Sequence, residues 1–492
     1  MAAYRDPQLV PTLLDMITHA EHPELLHVGI CWQHGEDEPT DIFLDSGFTI
    51  TGFTEVDARI VDARTEVTKV ITKTITTIDP ETKEEKTEEV KEQVTEIVVG
   101  APTFTMEHSS GAKFTVIDLH YHKTQGACWA RNAIQQLYSQ EKYTLQLDSH
   151  HRFVEGWDKV SIEMLEGLRA DGYAKPLLTA YIPSYDPDND PAGRVMDPWK
   201  MDFDRFIPEG AVFFIPSTID GWREIDKPVK ARFFSAHFAF ADGAFAVEVQ
   251  HDPQYFFHGE EISIAVRAYT HGYDLFHPHR LIAWHEYTRK GRIKVWDDMD
   301  TPNRLKGRVE LDWVQRNDLC HKRNRILFGM DGEDPNQIDF GKYGFGTERS
   351  VQQYEQYAGM SFKYRGVTQE VVDKMEPPGN IPYESDEQWK EQIVRSNDVR
   401  ILINMKEDIK WEDGTIPDDM DFWYVGAARE DLSEIARQDR QEHEIQQHLN
   451  GEWADFRLIW RGNEKPSYYV VWPHSKSRGW RHERIVRPIT EH

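Results

Sequence analysis

The apolar run in "LQLDSHHRFVEGWD" (145–158) ends in an acid, a serine and two histidines. Asp148 and His150 are two positions apart, so on an extended backbone their side chains point to the same side. A carboxylate and an imidazole that converge can bind a divalent cation, and a mixed oxygen and nitrogen set suits Mn²⁺ better than Ca²⁺. In the alternative interpretation, Asp148 and Ser149 form a turn that caps the next element.

A second acidic pair lies in "FFHGEEISIAVRAYTHGYDLFHP" (256–278). Glu260 and Glu261 follow a glycine at the predicted start of a helix, which Gly272 is expected to end. Acids at a helix start can serve only the helix dipole, at about 0.3–1 kcal/mol each. They could equally face a site. His285 follows the apolar run of "LIAWHEYTR" (281–289) and is a candidate third metal ligand.

A basic residue opens another predicted helix. Arg131 lies in "ARN" (130–132), directly after "HKTQGA" with its flexible Gly126. A helix N-terminus with an arginine can hold a phosphate group. A surface ion pair is an equally good explanation for Arg131 when it is considered alone.

The elements that must position these residues alternate between helix and strand. An apolar helical spacing in 7–19 precedes a compact apolar run at 24–33, and the alternation resumes after residue 112. Strand, helix and strand in succession predict an α/β domain with a largely parallel, doubly wound sheet, which binds ligands outside the carboxyl ends of its strands. The later predicted strands are 113–121, 143–147 and 175–183, and the later helices are 128–140 and 157–170.

Two segments interrupt this pattern. In 64–100, Thr, Val and Ile alternate with charges around a turn-like "DPETK", which predicts a projecting two-stranded ribbon that serves as an oligomer or partner arm. A solvated insertion, or a charged helix in its second half, are the alternatives. The polar loop "DPDNDPAG" (186–193) is predicted to act as a lid.

The character of the chain changes beyond residue 367. The stretch 374–388 has the composition of a linker, and short predicted strands with one polar helix within 433–450 follow it. A strand-rich C-terminal domain of about 100 residues is therefore expected. Its aromatic side chains form either a sugar- or peptide-binding face or the core of a small β domain. They are Trp411, Trp423, Tyr424, Trp453, Trp460, Tyr468, Tyr469, Trp472 and Trp480.

The bulk composition excludes several classes of protein. The 492 residues have a formal net charge of −28, which argues against general binding of nucleic acids or anionic membranes. Three separated cysteines do not indicate a disulfide framework. No apolar run reaches the roughly 18–20 residues of a membrane span, and the N-terminal stretch does not have the pattern of a signal peptide. A soluble, cytoplasmic protein is expected.

Seven sequence blocks, in order, resemble one enzyme family. They are "AAYRDPQLVPTLLD", "VGICWQ", "GACWARNAIQQLY", "YTLQLDSHHRFVEGWD", "FHGEEISIAVRAYTHGYDLFHP", "WHEYTR" and "YGFGTERSVQQYEQYAG". Their residues and order are similar to those of the GlcNAc-transferase family, typified by cytoplasmic Skp1-hydroxyproline N-acetylglucosaminyltransferases. The resemblance covers roughly 1–367 and implies a GT-A fold, a Rossmann-like α/β fold for nucleotide-diphospho-sugar transferases. The expected organisation is a catalytic domain at 1–367 with a β-ribbon insertion at about 58–110, a linker at 368–397 and a β-rich accessory domain at 398–492.

The resemblance also implies roles for individual residues. Asp148 and His150 would bind Mn²⁺ (or Mg²⁺) that bridges the two donor phosphates, with His285 completing the metal set. Ala3, Tyr4, Arg5, Asp6, Arg131 and Ser149 would bind the nucleotide or diphosphate, and Glu260, Glu261 and Asp148 would form the catalytic group.

The leading hypothesis is a metal-dependent, retaining transfer of GlcNAc or a related sugar from a UDP-sugar to a hydroxyl acceptor on a protein or glycan. Retention allows a carboxylate nucleophile or a same-face displacement in which the leaving phosphate acts as the base. The second of these routes is favoured. The alternative functions are a degenerate GT-A-fold binding or scaffold protein without transfer activity, and a metal-dependent hydrolase of phosphoesters. The 64–100 ribbon is a candidate homo-oligomer contact.

Overall fold

The structure is a computed structural model that describes residues 1–60, 64–78, 85–289, 291–377, 379, 381–449 and 451–489. The chain divides into two compact units that alternate along the sequence. Unit 1 contains Met1–Lys200, Ser217–Cys320 and Phe340–Glu348, and unit 2 contains Met201–Pro216, His321–Asp339 and Arg349–His492. The domain boundaries predicted at residues 367 and 398 stay a prediction.

The strands are numbered in chain order, and the helices separately. The strands are β1 (Ala2–Tyr4), β2 (His27–His34), β3 (Phe48–Asp57), β4 (Arg64–Ile78), β5 (Glu85–Val99), β6 (Ala101–His108), β7 (Lys113–His120), β8 (Tyr143–Leu147), β9 (His151–Phe153), β10 (Pro176–Thr179), β11 (Trp199–Phe206), β12 (Val212–Thr218), β13 (Val229–Lys230), β14 (Phe238–Asp242), β15 (Asp274–His277), β16 (Ala283–His285), β17 (Met360–Ser361), β18 (Gly366–Val367), β19 (Val394–Asn404), β20 (Met420–Ala428), β21 (Glu434–Arg437), β22 (Arg440–Gln441), β23 (Trp453–Arg461), β24 (Tyr468–Ser475), β25 (Gly479–Trp480) and β26 (Ile485–Pro488). The α-helices are α1 (Leu9–Thr18), α2 (Asp41–Leu44), α3 (Ala127–Gln135), α4 (Trp157–Ala170), α5 (Phe245–Glu248), α6 (Glu260–Thr270), α7 (Val295–Asp298), α8 (Thr301–Leu305), α9 (Trp313–Phe328), α10 (Val351–Ala358), α11 (Gln369–Val372), α12 (Asp386–Gln392) and α13 (Glu442–Gln446).

The first sheet of unit 1 has the strand order β1-β2-β7-β6-β3. Its strands β1, β2 and β7 are parallel, and α1 forms the crossover between the first two. Strands β6 and β3 are antiparallel additions, because a short turn joins β6 to β7 and reverses the chain. Helix α1 buries Leu9, Leu13 and Ile17, as expected from their helical spacing, together with Met16.

The second sheet of unit 1 has the order β13-β15-β10-β14-β8. Only β10 and β15 are parallel within it, and the other neighbours run antiparallel. The prediction of a largely parallel sheet is therefore wrong in detail, since residue periodicity identifies strands but not the direction in which they pair. The predicted α/β class with a strand-rich C-terminal region is confirmed.

A two-stranded ribbon, β4 with β5, is inserted between strands β3 and β6 of the first sheet. Its strands pair antiparallel from Arg64↔Val99 to Ile78↔Glu85, as predicted. The predicted "DPETK" turn at 79–83 lies outside the described residues. Strand β6 follows at once and belongs to the first sheet, between β3 and β7.

Unit 2 contains antiparallel strands that surround a core of its own. Strands β19 and β23 pair along Ser396↔Arg461 to Asn404↔Trp453, and β20 pairs with β24. Trp423 is buried there, whereas Trp453 and Trp480 are 51% and 41% exposed. The C-terminal aromatic residues therefore divide between core and surface.

None of the helices in the described ranges is long and apolar enough to cross a membrane. The three cysteines, Cys31, Cys128 and Cys320, are buried and free. The expected cytoplasmic location stays a prediction.

Candidate active site

The carboxyl end of β8 positions the first predicted ligand. Asp148 directly follows β8 and also forms a parallel bridge with Ala2 of β1, so it lies where the two sheets of unit 1 meet. Thr12 of α1 holds the next turn, because its hydroxyl donates to the carbonyl of Ser149 at 2.9 Å and accepts from the backbone N–H of His151 at 3.0 Å. The backbone of the Asp-Ser-His sequence is thus fixed by both a strand and a helix.

A short strand pair brings the distant histidine to this point. Strands β9 and β16 are antiparallel, and His151 is directly opposite His285 in their register. The Nε2 atom of His285 lies 3.5 Å from Asp148 Oδ2, and the Nε2 atom of His150 lies 3.7 Å from the same oxygen. One donor atom from each of the three residues falls within 4.8 Å of the other two.

The donor set fits a divalent cation. The side chain of His285 is buried, and in the described part of the chain neither of its ring nitrogens has a hydrogen-bond partner. The 3.5 Å approach to Asp148 is too long for a good hydrogen bond. A buried imidazole normally finds a partner, so these orphaned nitrogens beside a carboxylate fit the ligands of a metal ion. One carboxylate oxygen and two imidazole nitrogens form a set of ligands suited to Mn²⁺ and other first-row cations.

The protonation states also suit metal binding. Burial lowers the pKa of His285 well below its usual value, so its ring is neutral near pH 7. Burial opposes ionisation of Asp148, but the Arg131 guanidinium and the neighbouring histidines hold the pKa of Asp148 well below its usual range. A neutral imidazole and an ionised carboxylate are the forms that bind a metal.

Arg131 lies beside the same carboxylate. Its Nη2 atom donates to Asp148 Oδ1 at 2.8 Å, and its Nη1 atom lies 3.6 Å from Glu260 Oε1. The side chain is nearly buried, and Nε and Nη1 have no hydrogen-bond partner among the described residues. The alternative of a surface ion pair is therefore wrong for Arg131, and two of its guanidinium nitrogens have donor capacity left over.

Asp6 lies against the candidate metal ligands instead of facing open space. Its Oδ2 atom accepts hydrogen bonds from Ser149 Oγ at 2.6 Å and His150 Nδ1 at 2.7 Å. The Nη1 atom of Arg292 lies 3.1 Å from the same oxygen and also contacts His150 Nδ1. A carboxylate that accepts from Nδ1 fixes the ring and directs Nε2 outward, which is the usual support for a metal-binding histidine. Ser149 likewise turns its hydroxyl towards Asp6.

Arg292 links Asp6 to the segment that follows His285, the third candidate ligand. Its Nη2 atom lies 2.8 Å from Glu286 Oε2, and Glu286 directly follows His285. Both side chains are mostly buried, so the ion pair is shielded from water. The arginine therefore ties the segment after β16 to the segment after β1.

The two glutamates begin α6 inside the same unit. Glu261 is tied down, because its Oε2 accepts from the Tyr181 hydroxyl at 2.8 Å and its Oε1 from the backbone N–H of Ala236 at 3.0 Å. Glu260 instead faces Arg131. Burial raises the pKa of both glutamates, and for Glu260 the negative charge of Glu261 adds to this effect. A role limited to the helix dipole does not explain such burial.

Two of the predicted nucleotide-binding residues near the N-terminal strand contact Asp298. The Tyr4 hydroxyl donates to Asp298 Oδ2 at 2.9 Å, and Arg5 Nη1 lies 3.2 Å from the same carboxylate. Arg5 also stacks over the ring of Tyr121 at 4.5 Å. Ala3 is fully buried within β1 and pairs with β2, so its side chain packs in the core.

Several residues of this region were not anticipated from the sequence. Arg292 and Asp298 follow the "WHEYTR" block in a charged stretch that offers no periodicity, and Glu286 lies within that block. The ring of His237 stacks on His285 with centroids 4.3 Å apart, and its Nε2 lies 3.1 Å from the Tyr287 hydroxyl. An acid directly after a candidate ligand is the one signal that could have identified Glu286.

The chain is similar to known glycosyltransferases. Residues 1–364 match the family model described as glycosyltransferase (GlcNAc). No match was found among the curated proteins. Among solved structures, the crystal structure of GalNAc-T7 with UDP, GalNAc and Mn2+ matches 77% of this chain and 68% of that chain, at 10% sequence identity and a TM-score of 0.30. That score is too low to support an argument from that enzyme. Since the family model spans well over half of the chain, the protein belongs to the glycosyltransferase (GlcNAc) family and is a glycosyltransferase.

Proposed function

We propose that the protein transfers GlcNAc, or a related sugar, from a UDP-sugar to a hydroxyl acceptor on a protein, with a divalent cation, preferably Mn²⁺, and retention of configuration. The observation that supports this most directly is the group formed by Asp148, His150 and His285, whose donor atoms lie within 4.8 Å of one another beside Arg131.

The chain's own residues suit a diphosphate leaving group. Asp148, His150 and His285 would hold the cation, which supplies charge to stabilise the leaving diphosphate. Arg131 offers two guanidinium nitrogens without hydrogen-bond partners among the described residues. A fixed arginine directed at developing phosphate charge lowers the barrier, because it needs no reorganisation during the reaction.

The transfer breaks the bond between the anomeric carbon and the β-phosphate oxygen and forms a bond from that carbon to the acceptor oxygen. For retention we favour the same-face displacement, in which the acceptor proton passes to the departing phosphate oxygen. Glu261 is already held by Tyr181 and Ala236, so it positions rather than attacks. Glu260 has a raised pKa and faces Arg131, which suits a hydrogen bond to a sugar hydroxyl better than a nucleophilic role.

The decisive experiment measures UDP release from a panel of UDP-sugars with Mn²⁺, for the wild type and for Asp148→Asn. The variant removes the charge that faces both the metal group and Arg131. We expect UDP-GlcNAc to be the preferred donor and the variant to lose at least about a hundredfold in turnover.

Asp118→Asn is the matched control, because Asp118 pairs with His34 elsewhere in unit 1. This control should keep its activity. Binding of UDP and Mn²⁺ without turnover of any sugar would support the degenerate-fold alternative. Equal activity of Asp148→Asn and the wild type would refute the proposed metal site. Mass spectrometry of acceptors modified in a native extract identifies the acceptor class.

A further inference from the structure

The ribbon of β4 and β5 presents two unlike faces. Side chains alternate between the faces of a strand, so the register of the ribbon assigns every residue to one side. One face combines threonines with the exposed Val70 and the polar residues Glu89, Lys91 and Gln93, and within it Thr68 and Thr95 share a hydrogen bond of 2.9 Å. The other face contains Lys69, Ile71, Lys73 and Ile75 from β4 and Glu88, Val90, Glu92 and Val94 from β5. We call the latter the alternating face.

The alternating face is both apolar and charged in a regular order. Ile71, Ile75, Val90 and Val94 are 37%, 42%, 37% and 36% exposed, so the aliphatic groups are in contact with water. Among these eight residues the charges segregate by strand, because the lysines lie on β4 and the glutamates on β5. Lys73 and Glu92 form an ion pair across the ribbon. The eight residues therefore carry no net charge, but they form a positive and a negative side.

The ribbon has no further strand to support it within the residues that the structure describes. Strands β4 and β5 form a sheet of two. An isolated two-stranded ribbon is marginally stable in water, and fifteen paired residues make this one about 50 Å long. Burial of the four aliphatic side chains would stabilise it.

We propose that the alternating face is a homodimer contact, in which the ribbons of two copies of this chain pack face to face. A two-fold axis along the ribbon lays β4 of each copy over β5 of the other in the same register. Lys73 of one copy then lies over Val90 of its partner, between Glu88 and Glu92, and Lys69 lies over Val94 beside Glu92. Edge pairing that keeps both alternating faces on one side needs a two-fold axis perpendicular to them, and it would bring lysines beside lysines or glutamates beside glutamates, which is repulsive. The charge order thus selects a second copy and the face over the edge.

The size of the contact sets the expected strength. A ribbon about 50 Å long and about 10 Å wide buries on the order of 500 Å² per copy, or about 1,000 Å² in total. That area is at the lower end for specific interfaces, where association is weak and reversible. We therefore expect a monomer–dimer equilibrium with a dissociation constant in the micromolar range, weakened by salt.

Charge reversal tests this arrangement, because it should weaken dimerisation of each variant alone and restore it when two opposite variants are mixed. Sedimentation equilibrium of the full chain is measured for an acidic variant, Lys69→Glu with Lys73→Glu, and a basic variant, Glu88→Lys with Glu92→Lys. Each variant alone should dimerise about tenfold more weakly than the wild type or worse. An equimolar mixture should form heterodimers, because each face then meets its opposite charge.

The control variant changes the threonine face. Thr72→Glu and Thr74→Lys introduce charges opposite Lys91 and Glu89, which they can pair with. Dimerisation of this control should match the wild type, and UDP release by all variants reports whether unit 1 stays folded. A wild type that stays monomeric up to about 100 µM, an equal loss in the control, or no heterodimer on mixing would overturn the proposal. Exclusive binding of the ribbon to a different protein would do so as well.

Discussion

The substitution Asp6→Asn tests whether metal binding depends on the carboxylate that accepts a hydrogen bond from His150 Nδ1. In the wild type, Asp6 Oδ2 lies against Ser149 Oγ, His150 Nδ1 and Arg292 Nη1, and Oδ1 accepts from the backbone N–H of Gln8. Every one of these neighbours offers a proton. Either orientation of an asparagine amide therefore sets its NH₂ group against at least one donor, and the negative charge beside Arg292 is lost.

The expected size of the effect comes from these bonds. A hydrogen bond to a charged group is worth about 1.5–3 kcal/mol, compared with about 1 kcal/mol for a neutral one. Losing the charge at the His150 contact, and leaving the ring less firmly oriented, should cost about 1.4–2.8 kcal/mol, or about 10–100-fold in metal affinity. Ser149 and the backbone still hold the turn, so the protein should stay folded.

The assay is calorimetric titration of Mn²⁺ into the protein in the presence of UDP, which does not depend on turnover. Asp158→Asn is the matched control, because Asp158 accepts from the backbone N–H groups of Glu21 and His22 away from the ligands. We expect normal Mn²⁺ affinity in the control and weakened affinity in Asp6→Asn. If Asp6→Asn is folded and binds Mn²⁺ as tightly as the wild type, the assigned support of His150 is wrong.

Three further outcomes are expected. Burial raises the pKa of Glu355 to about 7, so the wild type loses stability as the pH rises from the ordinary glutamate pKa to about 7. The variant Glu355→Gln can still accept the hydrogen bond from Phe362 N–H. In denaturant titrations its free energy of unfolding should exceed that of the wild type by about 1–3 kcal/mol between pH 5 and pH 8. Trp423→Ala should destabilise unit 2 by about 3–5 kcal/mol in thermal unfolding, whereas Trp453→Ala, at a half-exposed site, should stay within about 0.5 kcal/mol; equal effects would contradict the division into core and surface. Arg131→Lys keeps a charge but loses the planar fork, so kcat should fall about tenfold or more with little change in Mn²⁺ affinity, and an unchanged kcat would exclude a transition-state role.

Much of the fold and part of the site could be predicted from local patterns. Helical spacing identified α1, α4 and α6, and period-two alternation identified the ribbon. These patterns are local, because the faces of helices and strands repeat every few residues. They do not specify which strands pair or in which direction, so the mixed sheets were not foreseen.

The site shows the same division. Asp148 and His150 are neighbours along the chain, and their relation follows from the backbone alone. His285 joins them only because β9 and β16 pair in one particular register. The nucleotide-binding role of Asp6 stays a prediction, and only the structure shows that its carboxylate contacts His150 Nδ1.

The sequence by itself determined the family, the element types and the candidate ligand pair, because each depends on motifs whose residues are close together in the chain. Only the tertiary structure decided which charges share a buried space. Arg131 between Asp148 and Glu260, and Arg292 between Asp6 and Glu286, are products of long-range packing. Burial and proximity set the protonation states of these groups, and neither quantity can be read from a linear order of residues.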